Sequence, residues 1–291
     1  MAEQTVPAFE ILVGVRADDL ESPPVVEEFG GKLPVRIVAA EGVGVIGSMN
    51  SCLRGTQGDF VALLDDDVEI PADWLENALR HFAADANVAG VGGRDLLQDH
   101  PEMRLREPLT KKVGIYTWYG RGFGNHHRGT GPARSVHVLK GCNCIYRGDV
   151  LRQIGLDERL RGAGAQVGWE LSLAFDVRRG GGKLVYDPGI RVIHWVAPRQ
   201  DSDSVHRGAY DRGGLRDIAF NDHLIVQSKA LPVFRITHPM WNLIWGSRWV
   251  PGVVRATYLW AKGDRLAWER FQIGWEALVE AGKSTPISLQ N

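Results

Sequence analysis

The first 95 residues alternate short apolar runs with amphipathic ones. Phe9 to Val15 (FEILVGV), Val35 to Ala39 (VRIVA), Asp59 to Leu64 (DFVALL) and Val88 to Val91 are β-rich and largely apolar, the pattern of buried strands. Between them, Val43 to Arg54 and Ala72 to Ala83 (ADWLENALRHFA) carry helical spacing, the second with Pro71 directly ahead of it. This alternation predicts an α/β fold with a mostly parallel sheet flanked by helices, whose ligands gather at the carboxyl ends of strands.

From Leu96 to Lys140 the periodicity gives way to a Gly-, Arg- and His-rich stretch that includes TWYGRGFGNHHRG at Thr117 to Gly129. A long irregular segment with several aromatics predicts a substrate-facing region rather than disorder. Beyond it the pattern predicts a strand at Cys142 to Tyr146 and helices at Asp149 to Ile154 and Trp169 to Arg179. Two further strands, Lys183 to Tyr186 and Ile190 to His194, are expected around Asp187-Pro188-Gly189. After about Pro198 the pattern is helical throughout, and six of the ten tryptophans fall in this last part. The expected organisation is an α/β domain over residues 1–198 with a helical appendage over 199–291.

Composition narrows the function classes. With 34 Lys+Arg against 35 Asp+Glu, the formal net charge is −1, so the basic excess of a non-specific nucleic-acid binder is missing and no nucleic-acid partner is expected. Cys52, Cys142 and Cys144 are odd in number and lack paired spacing, which argues against a disulfide framework or a structural zinc site and favours a reducing compartment. The opening MAEQTVPAFE has no apolar core of a secretory signal. The charge-free run between Arg235 and Arg248 is only 12 residues and includes His238, Pro239 and Asn242, too short and polar to span a bilayer. A cytoplasmic protein is expected.

The strongest chemical signal is Asp65-Asp66-Asp67, three mutually repulsive carboxylates that directly follow an apolar strand. Alternation along an extended chain puts Asp65 and Asp67 on one side, where they can reach a hard divalent cation such as Mg²⁺ or Mn²⁺ and the diphosphate it carries. The competing reading is a solvated acidic turn ahead of the Pro71 helix.

Strand, DDD and VEIPADWLENAL together resemble the metal-binding DxD region of the family 2 glycosyltransferases. Three more segments match in order: GVIGSMN at Gly44 to Asn50, KGCNCIYR at Lys140 to Arg147, and Ile154 to His194, which resembles the family's stretch from an IGxFDE-like loop to a YDP…H strand. The resemblance covers roughly residues 9–200. It implies a GT-A fold and an inverting, metal-assisted transfer of a sugar from a UDP- or GDP-type donor to the hydroxyl of a glycan or lipid-linked acceptor, as in cell-envelope polysaccharide biosynthesis.

The resemblance also implies roles for individual residues. Glu170, the only carboxylate in GAQVGWELSLAF, takes the place of the catalytic base, although a carboxylate there also suits a helix dipole. Asp65, Asp67 and His194 fall in the metal shell, and Arg16, Asp18, Asn50, Asp65 and Asp66 around the nucleotide. Trp118, Arg121, Asn143 and Trp169 fall on the acceptor side, with Tyr119, His126 and His127 in the same loops. Cys142 and Cys144 read as small buried side chains.

One departure stands out. FEILVGVRADD resembles the family's second strand and following turn, so the usual first strand and its loop look absent, with Arg16, Asp18 and Asp19 in place of the family's aspartate. A misplaced gene start, a differently built pocket, or an impaired nucleotide-sugar or glycan-binding protein would each account for this.

In the tail, Trp241, Trp245 and Trp249 are spaced for one helical face, and six Lys/Arg stand against one acid between Ser228 and Arg265. That pattern suits a helix on the inner face of an anionic membrane. Packing of the tryptophans against the sheet is the alternative.

Overall fold

A computed structural model describes residues 1–98, 108–195 and 210–284. β1 (Ile11–Val15) and β2 (Val35–Ala39) pair in parallel, joined through α1 (Ser22–Glu27), and α2 (Gly44–Gly55) packs on both. The larger sheet has six strands. β3 (Phe60–Leu63), β9 (Cys144–Arg147), β5 (Val88–Leu97), β10 (Lys183–His194) and β4 (Val68–Glu69) follow one another, and β8 (Arg134–Val136) pairs beside the first part of β10.

This sheet is mixed, which corrects the mostly parallel sheet expected from the alternation of elements. Only β5 and β10 run parallel within it, because β9 inserts antiparallel between β3 and β5, and β4 and β8 both oppose β10. Asp187-Pro188-Gly189 does not separate two strands either. β10 runs on through it, and the irregularity is absorbed as a register shift between Asp187 and Arg191 against β5.

Side chains alternate across β10 and build a core on each face. On one face Val185 and Val192 join Trp74 and Phe82 of α3 (Trp74–Ala84), with Val91 and Ile145. On the other, Leu184 and Tyr186 meet Ile46 and Leu53 of α2 and Trp169, Leu173 and Val177 of α5 (Trp169–Arg179). That cluster continues without a break into Phe220, Leu224 and Ile225 of α6 (Arg212–Lys229) and Ala277 and Ala281 of α9 (Ala267–Ser284). The helical tail therefore shares the core of the sheet. α4 (Gly148–Ile154) follows β9, and α7 (Pro232–Ile244) and α8 (Val253–Ala261) complete the tail.

The tryptophan stripe does not form as expected. α7 ends at Ile244, Gly246 takes φ +66° and bridges to Pro251, and Trp249 lies in the turn beyond. No helix among the described residues is long and apolar enough to cross a membrane.

Candidate active site

The acidic triplet leaves the carboxyl end of β3 and is then fixed by backbone pairing. β4 turns back against the end of β10, placing Val68 opposite His194 and Glu69 opposite Ile193, and the Trp195 N–H donates to the Asp67 carbonyl at 2.8 Å. This register brings the Asp67 carboxylate to His194, with Oδ1 to Nε2 at 3.1 Å. Asp65, Asp67 and His194 each offer a ligand atom within 4.8 Å of the other two. Asp66 is exposed. Two carboxylates and an imidazole converging at a strand end fit a divalent cation of the Mg²⁺ or Mn²⁺ type.

A second ionic layer lies behind His194. Asp95, near the end of β5, is completely buried and takes the Lys140 ammonium as its partner. His194 Nδ1 lies 3.9 Å from the same carboxylate, and Cys142 is close enough to share the cluster. Burial alone would hold the Asp95 carboxyl neutral, but the Lys140 charge and hydrogen bond, with His194 nearby, outweigh it and keep its pKa well below the usual range. Burial likewise opposes charge on His194, and Asp67, Asp95 and Cys142 override it, raising its pKa to about 11. His194 thus lies between the carboxylates of Asp67 and Asp95. Lys140 and Asp95 were not singled out from sequence. The available signal was an acid beside Arg94 in the mostly apolar strand VAGVGGRDLL, but its partner lies 45 positions away.

Glu170 occupies the first turn of α5, entered through Gly168 at φ +105°. The helix start is seated on Gly141, where a side chain would drive into the Trp169 ring: a Cβ there would lie 2.2 Å from Trp169 Cζ2. Desolvation raises the Glu170 pKa and the Asp65 charge raises it further, against the pull of its own backbone N–H, Lys140 and the Gly141 amide. Glu170 thus senses both the acidic cluster and the lysine behind it, and its carboxylate is more basic than a solvated one. The loop ahead of it is held by Asn221 of α6, whose amide accepts from Arg161 N–H at 2.7 Å and donates to the carbonyls of Arg161 and Val167.

Several other expected site residues are occupied elsewhere. Asn50 is buried, accepts from Leu156 N–H at 2.9 Å, and donates to the Leu156 carbonyl and Glu158, each at 3.0 Å. It ties α2 to the loop after α4 and presents no free amide to a nucleotide. Asn143 accepts from Trp74 Nε1 at 2.9 Å and donates to the Ile190 carbonyl at 3.2 Å, and Trp169 is 6% exposed, so both are buried in the packing beneath the site.

Arg16 and Asp18, just past β1, are exposed and pair with each other at 2.6 Å. Asp19 is engaged by the backbone N–H groups of Glu21 and Ser22 at the start of α1. Trp118 and Arg121 lie at the exposed tip of a hairpin made by β6 (Ile115–Tyr116) and β7 (Gly122–Phe123). His126 is buried, which pushes its pKa down to about 4. Cys142 and Cys144 are buried, and desolvation raises both thiols.

Comparison with known proteins follows the same lines. The profile of glycosyl transferase family 2 matches residues 1–155. A curated relative, the glucosyl-dolichyl phosphate glucuronosyltransferase of Haloferax volcanii, is 26% identical over 156 residues, covering 52% of this chain and 47% of the relative. The matched stretch spans about half the length of that relative. Among solved structures, S. aureus TarS 1–349 in complex with UDP-GlcNAc superposes with a TM-score of 0.63 at 14% identity, over 98% of this chain and 75% of that one. GalNAc-T7 with UDP, GalNAc and Mn²⁺ gives 0.53 at 13% identity, over 77% of this chain and 45% of that one. Identities this low speak to the fold alone.

Proposed function

Because the chain belongs to glycosyl transferase family 2 and has the GT-A fold, we propose that it moves a sugar from a UDP- or GDP-linked donor to an acceptor hydroxyl, with inversion at the anomeric carbon. The observation that carries this reading is the convergence of Asp65, Asp67 and His194 within 4.8 Å.

In this reading Asp65, Asp67 and His194 hold a divalent ion, Mg²⁺ or Mn²⁺. When bound, such an ion supplies positive charge for a departing diphosphate. Glu170 accepts the proton of the attacking hydroxyl, and its desolvation makes it a stronger base than a solvated carboxylate. A single carboxylate in that role fits one direct displacement, hence inversion. Lys140, anchored on Asp95, adds a fixed positive charge behind the cleft, and Asp95 orients the His194 ring.

We assign donor binding and chemistry to residues 1–198 and treat 199–291 as an extension, whose described helices share that core. A lipid-linked or cell-envelope glycan acceptor fits the H. volcanii relative, whose name records transfer to glucosyl-dolichyl phosphate.

The test is release of UDP or GDP from a panel of sugar nucleotides, with and without Mn²⁺, in the parent and in Glu170→Gln. Metal-dependent release that Glu170→Gln loses while still binding nucleotide supports the reading. Tight nucleotide binding with no release from any donor would point instead to a nucleotide-sugar-binding protein, and an active Glu170→Gln would remove the base from Glu170.

A further inference from the structure

We propose that α7, α8 and the tip of the β6–β7 hairpin form one face that docks on an anionic lipid bilayer. This inference stands on the surface alone and does not depend on the reading of the active site.

A helix on a globular protein ordinarily turns its apolar stripe inward. α7 does the reverse. Val233, Ile236, Met240, Leu243 and Ile244 recur at helical spacing and are each at least 41% exposed, while its one buried residue is the polar His238. That histidine pegs the helix down, with Nε2 2.8 Å from the Asp222 carboxylate and 2.8 Å from the Asn242 amide. α8 follows suit: Val253, Val254 and Tyr258 are exposed and only Ala256 is buried. Trp245 and Trp260 add two exposed indoles.

The hairpin tip is fastened to this face. Thr237 Oγ1 donates to the Trp118 carbonyl at 2.6 Å, the Tyr119 and Trp241 rings lie 4.8 Å apart, and Gly120 sits so close to His238 that a Cβ would come within 2.8 Å. Trp118, 67% exposed, extends the apolar surface. Contiguous apolar surface on this scale marks a binding face.

Charge selects the occupant. Residues 229–263 contain Lys229, Arg235, Arg248, Arg255 and Lys262 and no Asp or Glu. Lys229 is committed to Asp157 and Asp176, which leaves four cations, and Arg121 of the hairpin makes a fifth. Arg248 stacks 4.3 Å over Trp249, Arg255 lies 5.9 Å over Trp245, and Lys262 6.0 Å over Tyr258. An apolar face rimmed by cations and aromatic rings, whose neighbouring acids Asp222 and Asp264 are paired with His238 and Arg270, complements anionic headgroups above acyl chains. A second copy of the same face would set five cations against five.

Docking also gives the hairpin a direction. Tyr116 N–H donates to His137 Nδ1 at 2.9 Å, three residues before Lys140, so the hairpin links the lipid-facing surface to the segment that lines the ionic cluster.

The test is co-sedimentation of the full chain with phosphatidylcholine vesicles containing phosphatidylglycerol, against phosphatidylcholine alone, at low and high salt. Each basic residue near an anionic surface is worth roughly fivefold in partitioning. The expected result is binding to the anionic vesicles that falls at least tenfold at high salt or without phosphatidylglycerol. Arg235→Glu/Arg248→Glu and Ile236→Glu/Val254→Glu should each lose at least about twentyfold, and because both change exposed positions their melting temperatures should match the parent. Absence of binding to anionic vesicles, equal binding to both vesicle types, or an unaffected double variant would overturn the proposal. So would a concentration-dependent dimer, seen by sedimentation velocity without lipid and lost in Ile236→Glu/Val254→Glu, since it would give this face to a second copy.

Discussion

The pair formed by Lys140 and Asp95 yields a sharp prediction, because Asp95 is entirely enclosed and one of its oxygens is buried without a hydrogen bond. In Lys140→Met the carboxylate loses its main counter-charge. Removing one partner of a buried pair costs about 3–5 kcal/mol. The lower end applies because Lys140 remains 32% exposed, and because His194 Nδ1, 3.9 Å away, can take up part of the interaction. A net loss of about 2–3 kcal/mol lowers the melting temperature of a chain this size by roughly 3–6 °C. Adding Asp95→Asn removes the stranded charge, so Lys140→Met/Asp95→Asn should melt several degrees above the single variant. The assay is thermal unfolding by circular dichroism at neutral pH, with Lys140→Arg expected to retain most of the stability. A Lys140→Met melting point within about a degree of the parent, or a double variant no more stable than the single one, would refute the coupling of these two charges.

Three further outcomes follow from the geometry. Glu170 must be ionised to accept a proton and its pKa is raised, first by desolvation and then by Asp65. The rate of transfer should therefore rise with pH through a limb above the ordinary carboxylate range, and a pH–rate profile flat from pH 5 to neutrality would contradict this. His194 is protonated in the absence of a cation, with its pKa near 11. Mn²⁺ binding must displace that proton, so affinity should increase with pH and about one proton should leave per ion, measured by calorimetry in buffers of different ionisation enthalpy. Asn50→Ala leaves the Leu156 N–H and carbonyl without their partner. It should cost about 2 kcal/mol in thermal unfolding, with UDP or GDP affinity within about twofold of the parent.

Local pattern carried the elements well where one run of sequence meets one environment. The strands and helices expected through residue 95 are present, with β5 running six residues beyond Val91, and Asp65 and Asp67 both reach His194 from a turn past the end of β3 rather than by strand alternation. What stayed hidden depends on contacts distant in sequence. The antiparallel insertion of β9, the continuity of β10 through Pro188 and the partnership of Asp95 with Lys140 are all set by neighbouring strands. Asn50, Asn143 and Trp169 show the same difficulty at single residues. Each is polar or aromatic beside a functional motif, and each is consumed by packing or backbone hydrogen bonds that no local pattern records. In the tail the spacing of three tryptophans suggested one continuous helical face, whereas the helix stops at Ile244 ahead of Gly246 at positive φ, and Val233, Ile236, Met240, Leu243 and Ile244 form the exposed stripe.

Binding of a nucleoside diphosphate through a cation held by the triplet and His194 is the step on which the functional reading depends. Calorimetric titration of UDP and of GDP into the parent and into Asp65→Ala/Asp67→Ala, each with and without Mn²⁺, measures it directly. One of the two nucleotides should bind the parent at least tenfold more tightly with Mn²⁺ than without, and the double variant should lose that gain while melting cooperatively. Binding that is indifferent to Mn²⁺, or a gain that survives the loss of both carboxylates, would contradict the assignment.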